Sequence, residues 1–253
     1  TGDFGIKHTN STKVGVAQVL NRLTYISSLS HLRRVNTPID KNGKLIPPRK
    51  LHATIWGFLC PAETPEGASV GVVKNLSYLT HITIPSNSQS IYDSIQEYII
   101  PIADNIPETM FEKVKVFING AWIGTAKDPI VLFHEMKEKK LKGIINIYTS
   151  IYFDYERREI KICNDAGRLV RPVLRVNNQQ LMITNKQLSD LSSKIVPWEQ
   201  LITNIIYDQA LLEYIDAREQ NGALIAMWPN ELQKYAITER PFTHCEIHPS
   251  TIF

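Results

Sequence analysis

The stretch Val114-Lys-Val-Phe-Ile-Asn-Gly-Ala-Trp-Ile-Gly124 constrains the fold of this chain more than any other. Two alternating runs flank an Asn-Gly pair, which tolerates the positive φ angles of a tight type I′ turn, so the segment predicts a β-hairpin. A helix is expected from Pro129 to Lys142, closed by Gly143. Strands are expected over Ile144–Phe153, Glu159–Cys163 and Arg168–Val176, with a turn at Asn164-Asp165-Ala166-Gly167 before the third. Ile91 to Ile100 predicts a short helix after a boundary at Pro85 to Ser88. Residues 177–197 are polar and loosely patterned, as a linker or insertion tip is. Trp198 to Ile215 begins as helix and becomes strand from Leu212, and Leu224 to Met227 is a short strand. No internal repeat occurs. The expectation is an α+β chain of about three modules, and 253 residues suffice for each to bury its own core.

Composition narrows the class. With 43% apolar and 21% charged residues, the chain is too apolar for disorder and carries no low-complexity tract. No apolar run reaches the roughly 18 residues of a membrane span, and the N-terminus has no signal-peptide pattern. Cys60, Cys163 and Cys245 are odd in number and far apart, which argues against a disulfide framework. A soluble intracellular protein is expected. The chain starts at Thr1 and stops in an apolar run at Thr251-Ile252-Phe253, as a piece of something longer would.

The net charge of +3 hides an asymmetry. Residues 1–52 carry a net +7 and the remainder −4, and no carboxylate occurs from Phe4 to Ile39. Such a segment attracts polyanions, of which a phosphate backbone is the common one; a solvated basic face is the bland alternative. Val14 to Tyr25 reads as an amphipathic helix with Val16, Val19, Leu20 and Leu23 on one stripe and Gln18, Asn21, Arg22 and Tyr25 on the other face. Amide and guanidinium groups in a row suit phosphates, sugars or base edges, or simply water. His31-Leu32-Arg33-Arg34 is a second basic cluster. Phe4 and Tyr25 are the only aromatics among the first 52 residues, too few for a base-stacking platform. Asn36 to Leu45 reads as a turn with Asn42-Gly43 at its tip, flanked by Lys41 and Lys44.

Cys60-Pro-Ala-Glu-Thr-Pro-Glu-Gly67 places Glu63 and Glu66 close together on a proline-stiffened loop. Paired carboxylates serve as acid and base, as metal ligands, or as anchors for neighbouring cations. His244-Cys245-x-x-His248 has zinc-ligand residue types but lacks the further ligands of a closed site. No Gly-rich phosphate loop, no Asp-x-Asp pair and no nucleophilic triad can be assembled, so the chain does not read as a complete enzyme.

Several of these strings, in this order, resemble one family. Gly15-Val-Ala-Gln-Val-Leu-Asn-Arg22, Ser28-Leu-Ser-His-Leu-Arg-Arg34, Asn36-Thr-Pro-Ile39 and the Cys60–Gly67 loop are similar to the second-largest subunit of multisubunit DNA-directed RNA polymerase, the counterpart of the bacterial beta subunit. Phe117-Ile-Asn-Gly120, Asp165-Ala-Gly-Arg168, Glu213-Tyr-Ile-Asp216 and Thr243-His-Cys-Glu-Ile-His-Pro-Ser250 continue the resemblance over nearly the full length. The Pro-Ala-Glu-Thr form, with Arg49 to His52 before it, looks most like the eukaryotic RNA polymerase II enzyme or its relatives in large DNA viruses. Residues 177–197 and 217–223 are short relative to the cellular enzyme, which leans toward a virus.

The resemblance implies a fork region over residues 1–84, with one fork loop at Lys7 to Lys13 and another at Thr37 to Lys44. It implies external domains over 110–176 and 190–240, and the start of a hybrid-binding domain over 241–253. Gln18, Asn21, Arg22, His31, Arg33, Arg34, Lys41 and Lys44 would contact nucleic acid along the RNA–DNA hybrid and the strand-separation fork. Arg49, Glu63, Pro65 and Glu66 would support the active centre as charge partners and wall, not as acid and base. Asn21 stands where bacterial enzymes carry an acid, so their drug sensitivity does not transfer. The implied reaction is nucleotidyl transfer with Mg2+ held by the largest subunit, outside this chain. The implied partners are that subunit and others, template DNA, nascent RNA and nucleoside triphosphates, without a membrane. The implied location is the nucleus for a cellular enzyme, or the virion and host cell for a viral one. No chemistry beyond salt bridges is expected of Arg168 or Arg171. Two other readings stand beside this: a stand-alone nucleic-acid-binding module using the +7 segment, and a hydrolase using Glu63 and Glu66.

Overall fold

A computed structural model of the chain describes residues 2, 4, 15–37, 39, 45–202, 210–234 and 241–253. The chain divides into two compact units, Thr1–Ile55 with Leu59–Leu76, and Trp56–Phe58 with Ser77–Phe253. Helices mix with several sheets, which is the expected α+β class.

In the first unit, helix α1 spans Tyr25–Leu32 and strand β1 spans Arg34–Asn36. β1 pairs antiparallel with β2, Val73–Asn75, setting Arg34 opposite Asn75 and Asn36 opposite Val73. The Cys60 N–H donates to the Asn75 carbonyl at 2.8 Å, so β2 has a neighbour on its other edge. The helix expected from Val14 to Tyr25 is not there. Residues 15–24 are bends and coil, Val19 is 95% exposed and Leu23 86% exposed; Val14 lies outside the described residues. The reason is where the backbone donors go. The N–H groups of Val16 and Ala17 both donate to the Gly2 carbonyl, that of Asn21 to His31 Nδ1, and that of Leu23 to Asn21 Oδ1. With those donors occupied, the i→i−4 ladder cannot form. The helix starts at Thr24 instead. Its hydroxyl accepts from the Ser27 N–H at 3.2 Å while Ser27 Oγ accepts from the Thr24 N–H at 2.9 Å, a capping box.

Among the described residues, the second unit holds two sheets. Strand β3 (His81–Ile82) belongs to the larger one. Helix α2 (Gln89–Ile95), strand β4 (Ile99–Pro101) and the short helix α3 (Pro107–Met110) lead into the hairpin of β5 (Lys115–Ile118) and β6 (Ala121–Ala126). Asn119 and Gly120 form its turn with φ of 47° and 85°, as the sequence predicts. Helix α4 (Pro129–Leu141) is capped by Asp128, which accepts from the Ile130 and Val131 N–H groups. Strands β7 (Ser150–Asp154) and β8 (Glu159–Cys163) complete a five-stranded sheet in the order β4-β6-β5-β8-β7, in which β5 and β8 run parallel. Ile91 and Ile95 of α2, Leu132 and Met136 of α4, and Val116, Ile118, Ile160 and Ile162 of the sheet form its core. The strand expected to begin at Ile144 begins at Ser150, because Ile144 to Thr149 turns after α4 and buries only Ile145 of its apolar residues.

The larger sheet is organised by β9, Leu169–Asn177. It pairs antiparallel with β3, with β10 (Gln180–Leu181), with β11 (Leu212–Asp216) and with β13 (His244–Cys245), and β13 pairs in parallel with β12, Ile225–Ala226. Pro172 sits mid-strand. Along one edge β3 covers Leu169 and Val170 while β13 covers Leu174 and Arg175. Alternation turns the nitrogen of residue 172 toward the gap between them, where no ladder bond is required. Helices α5 (Asn185–Ser192), α6 (Glu199–Ile202), α7 (Ala217–Gly222) and α8 (Pro229–Lys234) fill in around it. Residues 177–197 are therefore not a linker: they hold β10 and α5, and Ile183 is buried against Leu201, Leu212 and Tyr214. The Thr184-x-x-Gln187 capping box that starts α5 is a local signal for this helix.

One buried face of α4 carries a charge. Leu132, Met136 and Lys140 lie at i, i+4 and i+8, and Lys140 is 2% exposed. Its Nζ donates to the Tyr214 carbonyl at 2.8 Å and to both Glu219 oxygens at 3.1 and 3.2 Å, and lies 3.2 Å from Glu213. Lys137 bonds the same two carboxylates, and His244 Nε2 lies 3.1 Å from Glu213 Oε2. Burial pushes the Glu213 carboxyl up, but Lys137, Lys140 and His244 outweigh it and hold it well below the ordinary range. Burial likewise lowers Lys137, and Glu213 and Glu219 reverse this to leave it above its ordinary value. A depressed carboxylate contributes stability above its unfolded pKa of about 4.3 and loses it as pH falls through the folded value. A raised ammonium contributes below its unfolded pKa of about 10.4 and loses it as pH rises through the folded value. The urea midpoint of the second unit is therefore expected to be flat between those limits and to fall on both sides. A midpoint unchanged below pH 4 would show that Glu213 is not held ionised.

Candidate nucleic-acid interface

The first unit has a groove of about 500 Å³ lined by residues from three separate stretches. Val16, Gln18 and Leu20 come from the coil before α1, His31 and Leu32 from its last turn, and Arg34 and Asn36 from β1. Pro65, Glu66 and Ser69 come from the loop before β2, and Val73 from β2 itself. The β1–β2 pairing brings the 60s loop beside the basic cluster. Of the residues expected to touch nucleic acid, Gln18, His31 and Arg34 share this groove, and of those expected to support an active centre, Pro65 and Glu66 do.

The wall is cross-linked by hydrogen bonds. His31 Nε2 lies 3.0 Å from Gln18 Oε1, and Gln18 Nε2 donates to the Gly15 carbonyl at 2.9 Å. Asn21 is half-buried. Its backbone N–H donates to His31 Nδ1 at 3.1 Å, its carbonyl accepts from Ser28 Oγ at 2.7 Å, and its Oδ1 accepts from the Leu23 N–H at 3.0 Å. Arg34 is exposed and makes no side-chain hydrogen bond or ion pair with any described residue. Arg22 is exposed and lines a separate hollow with Leu23, Tyr25 and Leu29. Arg33 is half-buried at the end of α1 and its carbonyl accepts from the Leu76 N–H. Lys41 and Lys44, with the Asn42-Gly43 tip and the loop at Lys7 to Lys13, lie outside the described residues.

The supporting residues take up distinct tasks. Arg49 donates through one terminal nitrogen to the Ala68 and Val70 carbonyls at 2.6 and 3.0 Å, and through Nε to the Leu45 carbonyl, so it staples the turn that carries Ser69. The Glu63 carboxylate accepts from Ser30 Oγ, and the Glu63 carbonyl accepts from Asn75 Nδ2 at 3.3 Å. Thr64 Oγ1 donates to the Val73 carbonyl and accepts from the Gly71 N–H, anchoring the loop to β2. Glu66 lines the groove and Glu63 does not, so the two carboxylates do not face one cleft there as acid and base would. Sequence reasoning assigned no role to Ser30, Thr64, Ser69 or Asn75: the Ser30 hydroxyl bonds Glu63 and Asn75 more than thirty positions on, Thr64 bonds back across its own loop to Gly71 and Val73, and Ser69 is placed by the turn that Arg49 staples. Asn36, Ser30 and Thr64 all fall inside strings that carry the family resemblance, but without a role of their own.

His244 and His248 are engaged elsewhere. His244 bonds Glu213 and Thr243, while His248 Nδ1 accepts from the Ser250 N–H and its ring meets Trp228 edge-on at 5.5 Å. Among the described residues no three His, Cys, Asp or Glu side chains converge as metal ligands, and no helix is long and apolar enough to cross a membrane.

Residues 18–82 match the family description "RNA polymerase Rpb2, domain 3", residues 116–177 match "RNA polymerase Rpb2, domain 4", and residues 198–249 match "RNA polymerase Rpb2, domain 5". The chain belongs to the Rpb2 family. It is 38% identical to DNA-directed RNA polymerase II subunit RPB2 of Encephalitozoon cuniculi and 38% identical to DNA-directed RNA polymerase II subunit 2 of Arabidopsis thaliana, each match covering 100% of this chain and 22% of the relative. It is 31% identical to DNA-directed RNA polymerase subunit 2 of Acanthamoeba polyphaga mimivirus, over 100% of this chain and 23% of the relative. The chain thus spans less than a quarter of the length of these curated relatives. Every groove residue from Gln18 to Val73 lies within the stretch matched to Rpb2 domain 3.

Proposed function

We propose that this chain is part of the catalytic core of a DNA-directed RNA polymerase, a nucleotidyltransferase as the assembled enzyme, and that its groove runs along the RNA–DNA hybrid near the strand-separation fork. The observation that supports this best is the placement of Gln18, His31 and Arg34 in one groove inside the Rpb2 domain 3 stretch. An exposed guanidinium beside amide and imidazole groups suits contacts that hold a backbone without reading its bases. In this reading the chain positions RNA 3′ end, template and nucleoside triphosphate, and Mg2+ is held by the largest subunit. Other polymerase subunits complete the surface. The enzyme works in the nucleus if cellular, and in the virion or host cell if viral.

The test uses the whole polymerase. Arg34→Ala is expected to shorten the lifetime of halted elongation complexes and to lower the slope of log lifetime against log salt by about one, as loss of one phosphate contact does. An unchanged lifetime and slope would place Arg34 away from nucleic acid and remove the main support for the proposal.

A further inference from the structure

The bonds around His31 admit only one arrangement of protons. A backbone N–H can only donate, so the Asn21 N–H at 3.1 Å requires a bare lone pair on His31 Nδ1. The ring proton is then on Nε2, which faces Gln18 Oε1 at 3.0 Å. That orientation of the amide is enforced again from the other side, because the Gly15 carbonyl at 2.9 Å needs a donor and faces Gln18 Nε2. Gln18 is exposed on the groove wall, and Gly15 beside it has φ of 70°. With the amide held at both ends, one N–H of Gln18 Nε2 is left to point outward.

We propose that His31 is a positioning residue: as the Nε2-protonated neutral tautomer it fixes which way the Gln18 amide faces, so that Gln18 presents a donor, and not an acceptor, to the phosphates or sugars of a bound nucleic-acid strand. This rests on the proposed function of the groove. A flipped amide would turn its carbonyl toward an anionic backbone and repel it.

The experiment separates the two ring nitrogens in polymerase carrying the complete subunit, reading the lifetime of halted elongation complexes at raised salt. His31→Asn retains an acceptor near the Nδ1 position but cannot reach Gln18. His31→Gln places an amide N–H near the Nε2 position. Gln18→Ala and His31→Asn are each expected to shorten the lifetime roughly two- to ten-fold, the range of one hydrogen bond. The double variant should be no worse than Gln18→Ala alone, and His31→Gln should restore most of the loss. Losses that multiply in the double variant, or a His31→Gln polymerase as impaired as His31→Asn, overturn the proposal. So does a Gln18→Ala polymerase with unchanged lifetime; if Arg34→Ala still shortens the lifetime, the functional reading survives that failure, and if it does not, both fall.

Discussion

Replacing Arg171 by methionine is expected to lower the unfolding free energy of the second unit by about 3–5 kcal/mol, the usual cost of breaking a buried ion pair from one side. Arg171 is 3% exposed and Glu246 4% exposed. The guanidinium donates to both Glu246 oxygens at 2.7 and 2.8 Å, and its Nε donates to Gln220 Oε1 at 2.7 Å. Trp56 Nε1 donates to Glu246 Oε1 at 3.1 Å, Gln220 Nε2 donates to the Trp56 carbonyl, and the guanidinium sits 5.8 Å from the centre of the Phe58 ring. Residues 56–58 are thus held in the second unit by a planar fork that satisfies a whole ring of polar groups. Gly57 completes it: with φ of 75° and a would-be Cβ 2.6 Å from Arg171 Cδ, it admits no side chain. Urea unfolding of the chain gives the number. The paired variant Arg171→Met with Glu246→Leu should recover much of the loss, because no charge is then left buried alone. A single-variant loss under about 1 kcal/mol, the value of an exposed pair, would show that water reaches the site.

Glu219→Gln is expected to cost the same unit about 3–5 kcal/mol by leaving Lys140 in the interior with its charge half compensated. Glu219 accepts from Lys137, Lys140 and the Ile151 N–H, and its Oε2 faces the Asp216 N–H at 3.4 Å in the capping box of α7. The glutamine is nearly isosteric, so packing is unchanged and the loss reports charge. Adding Lys140→Met should return part of it by removing the orphaned cation. If the two substitutions together are simply additive, the two side chains are not coupled, and the shared cluster with Glu213 and Lys137 does not act as a unit.

These two clusters were the least visible features of the chain. Lys137 and Lys140 are unremarkable in a helix sequence, and Glu213, Glu219 and Glu246 lie scattered downstream. The pairing of β13 with β9 sets Glu246 beside Arg171, whereas Glu213 on β11 and Glu219 on α7 meet Lys137 and Lys140 only because α4 packs against them. The groove stands between these extremes. Gln18, His31 and Arg34 were legible as a carboxylate-free, donor-rich segment, whereas Ser30, Thr64 and Asn75 were not, since a short polar side chain carries no pattern until its partner is placed. The absence of helix over residues 15–24 has the same origin. A spacing of i, i+3, i+4 reports what could be buried on a helix, and here the backbone donors go to Gly2, to His31 and to the Asn21 side chain.

By itself the sequence determined what local chemistry determines: the Asn119-Gly120 hairpin, the Asp128-capped helix α4, the strands β8 and β9, and the basic, acid-free character of the first segment. Each depends on residues within a few positions of one another, so the signal survives without a fold. The tertiary structure alone decided which donors were free to make helix, that polar residues 177–197 would bury Ile183, which cations would lie inside, and that Pro65 and Glu66 would face Arg34. Those outcomes depend on partners tens of residues away, and a linear pattern does not record which of many chemically adequate partners the packing will deliver.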